Sequence, residues 1–177
     1  MANWIGLMVA ALVTVILMSM GCGMFGDLRA TGKPSAMLLV TTARSSGAEV
    51  SLSRIALARS SNPEVRRFAQ QTIATHQQMI QELRHLAHRR GVLILPVPDE
   101  TQQAICAHLL KLTGDELDRE YMREVMAEHA KLAAKFEPQW QPEKDPELSQ
   151  WTARHLPILQ AHLLLAQSLH QNLLAMR

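Results

Sequence analysis

The sequence predicts an all-α protein, and three observations predict it. Composition comes first: 47% of the 177 residues are hydrophobic but only 4% aromatic. Leu, Ala, Met and Gln dominate, which favours helix over sheet. Second, apolar residues recur at three- and four-residue spacing through four long stretches. Third, proline and glycine punctuate the chain between those stretches and largely stay out of them.

The first helix is predicted from Pro34 to Ser60, with proline suited to the opening turn. Its inward stripe reads Leu38, Leu39, Thr42, Ser46, Glu49, Leu52, Ala56. "SSNPEV" ends it and starts the second helix, with Asn62 as N-cap and Pro63 at the first position. That helix runs to about Arg90 and stops at Gly91. Its stripe is Val65, Phe68, Ala69, Thr72, Ile73, His76, Met79, Ile80, Leu83.

"VLILPVPD" is short and broken by proline, so it reads as an extended connection. "ETQQAICAHLLKLTG" reads as a short helix stopping at Gly114. A third long helix follows from Asp115 to about Trp140, with Leu117, Tyr121, Val125, His129, Leu132 and Phe136 inward. "QPEKDPE" is a turn. The fourth long helix starts at Pro146 and continues to the C-terminus. Its stripe holds Leu148, Thr152, His155 or Leu156, Leu159, His162, Ala166, Leu169 and Leu173, and Pro157 is expected to kink it.

The long helices would each span roughly 40 to 48 Å. Two hairpins joined by one long crossover carrying a short helix make a four-helix bundle of ferritin-like topology over residues 34–177. An up-down bundle with a folded-back excursion is the alternative.

The N-terminus reads differently. "WIGLMVAALVTVILMSM", residues 4–20, carries no charged side chain, and none occurs before Asp27. It predicts a signal peptide or membrane anchor over residues 1–22. Gly21 before Cys22 resembles the end of a lipobox, making Cys22 the candidate lipidation site. Ser19 stands where Leu is usual, and no Lys or Arg precedes the apolar core. Residues 23–33 read as a linker. The expectation is an exported domain tethered to a membrane through its N-terminus on the periplasmic side, as a lipoprotein.

The net charge of +2 is too small to indicate nucleic acid. The charge is nonetheless uneven. Residues 44–90 carry eight Arg against three Glu, and residues 99–147 carry twelve acidic against six basic side chains. A basic helical pair beside an acidic one is the expectation.

Each long helix places one residue of metal-ligand type inward, near its middle: Glu49, His76, His129 and His162. Mid-helix positions meet at one level whichever way the helices run. The functional reading is one transition metal ion, zinc, copper, iron or manganese, held by three imidazoles and a carboxylate. The bland reading is a hydrogen-bonded polar layer in a structural or protein-interaction protein of the envelope, without metal or catalysis.

Di-iron chemistry needs Glu-x-x-His on two helices. Ile73, Met126 and Leu159 stand three residues before the histidines instead, so no ferroxidase activity is expected. No nucleophile elbow, phosphate loop or Cys/His dyad pattern occurs, and catalytic residues are not expected. His85, His88, His108 and His170 are expected to be partly exposed. His155 is ambiguous, and Cys106, Met79, Met122 and Met126 read as packing residues.

"GAEVSLSRIALARSSNPEVRRFAQQTIATH", "GDELDREYMREVMAEHAKLAAKFE" and "LPILQAHLLLAQ" resemble the bacterial domain-of-unknown-function family numbered 4142. The resemblance covers about Ser35 to Leu169. It implies a ferritin-like bundle and an exported or outer-membrane location, and implies no mechanism. The family pattern matches Glu49, Asn62, Pro63, Phe68, His76, Tyr121, His129, Phe136, Pro157 and His162. Thr75 departs from it, because the family commonly has Asp there.

Overall fold

The computed structural model describes residues 34–136 and 145–175. The predicted signal or anchor, the linker, Cys22 and the Glu137–Lys144 stretch lie outside the described residues. Five helices and no strand occur among the described residues: α1 Pro34–Arg59, α2 Pro63–His88, α3 Glu100–Leu109, α4 Gly114–Phe136 and α5 Pro146–Ala175. None is long and apolar enough to cross a membrane.

Local chemistry sets the boundaries. Asn62 Oδ1 accepts from the Glu64 and Val65 amides at 2.9 and 3.3 Å, and Pro63 fills the first helical position. α2 ends at His88, two residues before the expected Arg90. Gly91 follows at φ +63°, and the Val92 amide reaches back to the Ala87 carbonyl at 2.9 Å. Asp99 and Gln102 cap α3 reciprocally. α3 stops at Leu109, ahead of the expected Gly114, and Gly114 instead opens α4 at φ +55°. α5 runs through Pro157, whose nitrogen has no proton for the Ala153 carbonyl.

Pairs of contacts fix the helix directions. Ser53 meets Tyr121 and Glu49 meets His129, so α1 and α4 are antiparallel. Phe68 meets Tyr121 and His76 meets His129, so α2 and α4 run the same way. Phe136 meets Trp151 and His129 meets His162, which makes α4 and α5 antiparallel. The segment from Val92 to Thr113 must therefore carry the chain back to the end where α2 began.

That segment earns its position by packing. Val92 and Ile94 are buried while Leu93, Leu95 and Val97 are exposed, the alternation of extended chain. Pro96 lies directly on Gly47 of α1. A Cβ at Gly47 would sit 2.1 Å from the Pro96 carbonyl oxygen, so only glycine permits this approach.

The expected charge complementarity is present across the two halves. Arg90 clasps Asp145 through two nitrogens at 2.6 and 3.0 Å, Arg89 pairs with Glu147, and Arg44 lies 4.0 Å from Asp99.

The core is in two apolar compartments. One contains Leu39, Met79, Leu83, Leu132, Phe136, Trp151 and Leu159. The other contains Leu52, Phe68, Leu117, Tyr121, Val125, Ala166 and Leu169. Between them, on every long helix, the inward positions turn polar: Ser46 and Glu49, Thr72 and His76, His129, His162.

Candidate metal centre

Three of the four sequence-predicted residues converge in this polar layer. One ring nitrogen from each of His76, His129 and His162 lies within 4.8 Å of the other two. His129 Nε2 stands 3.3 Å from His76 Nε2 and 3.3 Å from His162 Nδ1. His76 and His129 are fully buried; His162 is half-buried, with the Phe68 ring 6.0 Å away.

Glu49 takes a different place from the other three. Its Oε1 lies 3.1 Å from His129 Nδ1, on the far side of the ring from the nitrogen that faces the other histidines. His129 Nδ1 is also 3.1 Å from the Val125 carbonyl one turn earlier. Two acceptors at Nδ1 place a proton there. The N–H is aimed well enough at Val125 that neither Glu49 oxygen has a well-directed hydrogen bond, and both are buried. The fourth expected ligand thus sits behind one of the other three.

Electrostatics follow from burial. Burial pushes the Glu49 carboxyl up from the ordinary range, and His129 pulls it part of the way back. Burial and the neighbouring imidazoles push His76 well down, and burial with His129 takes His162 down to about 4. Burial also lowers His129, but the Glu49 charge and the contact with it outweigh that, and the result is a raised value. At neutral pH the ring nitrogens of His76 and His162 are therefore unprotonated at one position each and available as lone-pair donors.

His129 Nε2 is the point the other two histidines share. His129 Nε2 offers one directional contact, a lone pair or an N–H according to protonation state. Two ring nitrogens approach it at the same 3.3 Å. A metal ion at about 2.0–2.1 Å from tetrahedrally placed nitrogens gives an edge of about 3.3–3.4 Å between them. The two edges at His129 match that value, and the His76–His162 edge lies within 4.8 Å. A carboxylate behind one imidazole is the usual partner of a metal-bound histidine, fixing its tautomer and ring plane.

A second polar group escaped the sequence reading. Glu82 Oε2 accepts from Trp151 Nε1 at 2.8 Å and lies 3.3 Å from His155 Nε2, while His155 Nδ1 faces the Trp151 carbonyl at 2.8 Å. This settles His155 away from the metal-type set. The Trp151–His155 spacing of four was the available signal. A groove of about 550 Å³ between the outer faces of α1 and α2 is lined by Ser51, Arg54, Gln77, Gln81, Arg84 and Pro96, with none of the convergent histidines.

An all-helical domain with three imidazoles meeting in its core is the class of protein that fold and site define. A domain of unknown function, DUF4142, matches residues 28–169, most of the chain, and the chain belongs to that family. No match is found among curated proteins or solved structures.

Proposed function

We propose that this protein is a ferritin-like four-helix bundle that binds one transition metal ion through His76, His129 and His162, with Glu49 orienting His129. The observation that carries the reading is the pair of 3.3 Å approaches to a single nitrogen, His129 Nε2. The directions of α1, α2, α4 and α5, with a crossover between parallel α2 and α4, support the ferritin-like topology. Zinc, copper, iron and manganese all suit imidazole with a carboxylate partner. The apolar run over residues 4–20 and Gly21–Cys22 support a membrane-tethered location outside the cytoplasm. The role we propose is binding of the ion itself.

The test is metal content by mass spectrometry on the detergent-solubilised full chain, purified without chelator. A His129→Ala, His162→Ala double variant is measured beside it. About one equivalent of one metal in the wild type, absent from a variant of unchanged helicity, is expected. No metal in the wild type, even after zinc, copper, iron and manganese are supplied, would return the cluster to a hydrogen-bonded polar layer.

A further inference from the structure

We propose that the three-histidine centre takes its fourth ligand from solution, a small neutral or singly negative oxygen or nitrogen donor that enters between α2 and α5. This rests on the metal reading above. It deepens that reading by naming what the site admits.

The first ground is the donor count. No fourth His, Cys, Asp or Glu joins the three among the described residues. Glu49 lies behind His129. Glu82 is engaged by Trp151 and His155, Glu124 by Arg123, and Glu128 by Gln102 and Lys131. Met79 and Met126, each three residues from a cluster histidine, pack with the two apolar compartments instead. Three protein nitrogens leave an open position, the arrangement that distinguishes reactive metal sites from closed structural ones.

The second ground is access. His76 and His129 are fully buried, while His162 is half-buried. Only His162 therefore touches solvent. It lies on α5, whose contact with α2 is sparse compared with the α1–α2 and α4–α5 pairs. Ile158 and Leu165, one turn either side of His162, are exposed at 40% and 42%.

The third ground is the chemistry of the walls. Apart from His76 and His162 themselves, α2 has no charged side chain from Phe68 to Gln81, and α5 has none from Leu156 to Leu169. These two uncharged belts flank the histidines on both sides of the seam. A divalent ion on three neutral imidazoles, with Glu49 behind, carries one net positive charge. A single negative charge on the incoming ligand cancels it. A double charge would leave an excess anion between uncharged walls that offer no cation to pair with it, which is costly.

Cobalt(II) reports this directly, because its visible absorption changes with coordination. The detergent-solubilised full chain is loaded with cobalt and titrated with azide, then separately with sulfate at matched ionic strength. Saturable change with azide and none with sulfate is expected. An Ile158→Trp variant narrows the seam without touching a ligand. It is expected to keep its cobalt and to slow azide association by about tenfold. Bound cobalt whose spectrum azide leaves unmoved overturns the open position. An equal response to sulfate overturns the charge selection, and unslowed azide in Ile158→Trp overturns the route. Failure of the wild type to take up cobalt is a separate result that removes the metal reading as well.

Discussion

Glu49 Oε1 and His129 Nδ1 stand 3.1 Å apart with both residues fully buried, while His129 Nε2 faces His76 and His162. Glu49→Gln keeps the shape and removes the charge. Metal affinity is expected to fall about 10–100-fold, the usual effect of removing an orienting partner. Competition with a chromophoric chelator measures it, with circular dichroism as the fold control. Unchanged affinity in a folded Glu49→Gln variant would exclude the orienting role.

Acid sensitivity of the metal-free protein follows from His162, held down to about 4 against an ordinary 6.5. As pH falls from about 6.5, the unfolded chain binds a proton there before the folded one does. Folding therefore loses stability across the window from about 6.5 to about 4. His76 acts in the same direction. His129 and Glu49 are raised, so they act in the opposite sense. A His162→Gln variant isolates one group. Urea midpoints at pH 7.5, 6 and 5 are expected to decline less steeply in the variant than in the wild type. Parallel declines would mean that His162 protonates freely in the folded state.

Much of the fold was legible because helical periodicity is a local property. Every residue in the predicted α1 and α4 stripes is buried, and in α2 only Ile73 is partly exposed. The level of the polar layer was legible for the same reason, since Glu49, His76, His129 and His162 lie near helix centres. The division of labour among them was not. Whether Glu49 faces the shared centre or the back of His129 depends on a few ångströms of side-chain placement across α1 and α4, which spacing along one helix does not encode. The Glu82–Trp151 bond joins residues 69 apart, and the Gly47–Pro96 contact depends on how the crossover lies on α1. Gly114 misled for a different reason. A glycine at positive φ serves the turn before a helix as well as the turn after one.

Gly47→Ala tests the crossover. The added Cβ would meet the Pro96 carbonyl oxygen at 2.1 Å and its carbon at 2.5 Å, and both are backbone atoms. The strap has to lift, loosening buried Val92 and Ile94 beside it. A loss of about 1–3 kcal/mol is expected, the range for overpacking a close contact. Alanine would ordinarily stabilise a mid-helix glycine site by about 0.5–1 kcal/mol, so the sign alone is diagnostic. Chemical denaturation reads it, and a stabilised variant would show that Pro96 does not rest on Gly47.

Arg90 ties the end of α2 to the start of α5. Its guanidinium meets Asp145 at 2.6 and 3.0 Å and Glu147 at 3.1 Å, and it caps the Leu86 carbonyl at 2.8 Å. Asp145 in turn accepts from the Leu148 amide at 3.1 Å, so one carboxylate both receives Arg90 and caps α5. The hydrogen bonds to Arg90 hold Asp145 below the ordinary carboxylate range. A depressed carboxylate contributes stability above its unfolded value of 3.8, and that contribution is lost as pH falls through its folded value. The site is partly exposed, so water and salt weaken it. Arg90→Ala is expected to cost about 1–2 kcal/mol at pH 7, allowing for that exposure. Arg90→Lys should recover less than half, because a lysine cannot reproduce the two-nitrogen clasp. Between pH 7 and a pH below the folded value of Asp145, the wild type and Arg90→Ala should converge in urea midpoint as Asp145 protonates. A difference of the same size at both pH values would assign the effect to packing of the Arg90 stem, not to the ion pair.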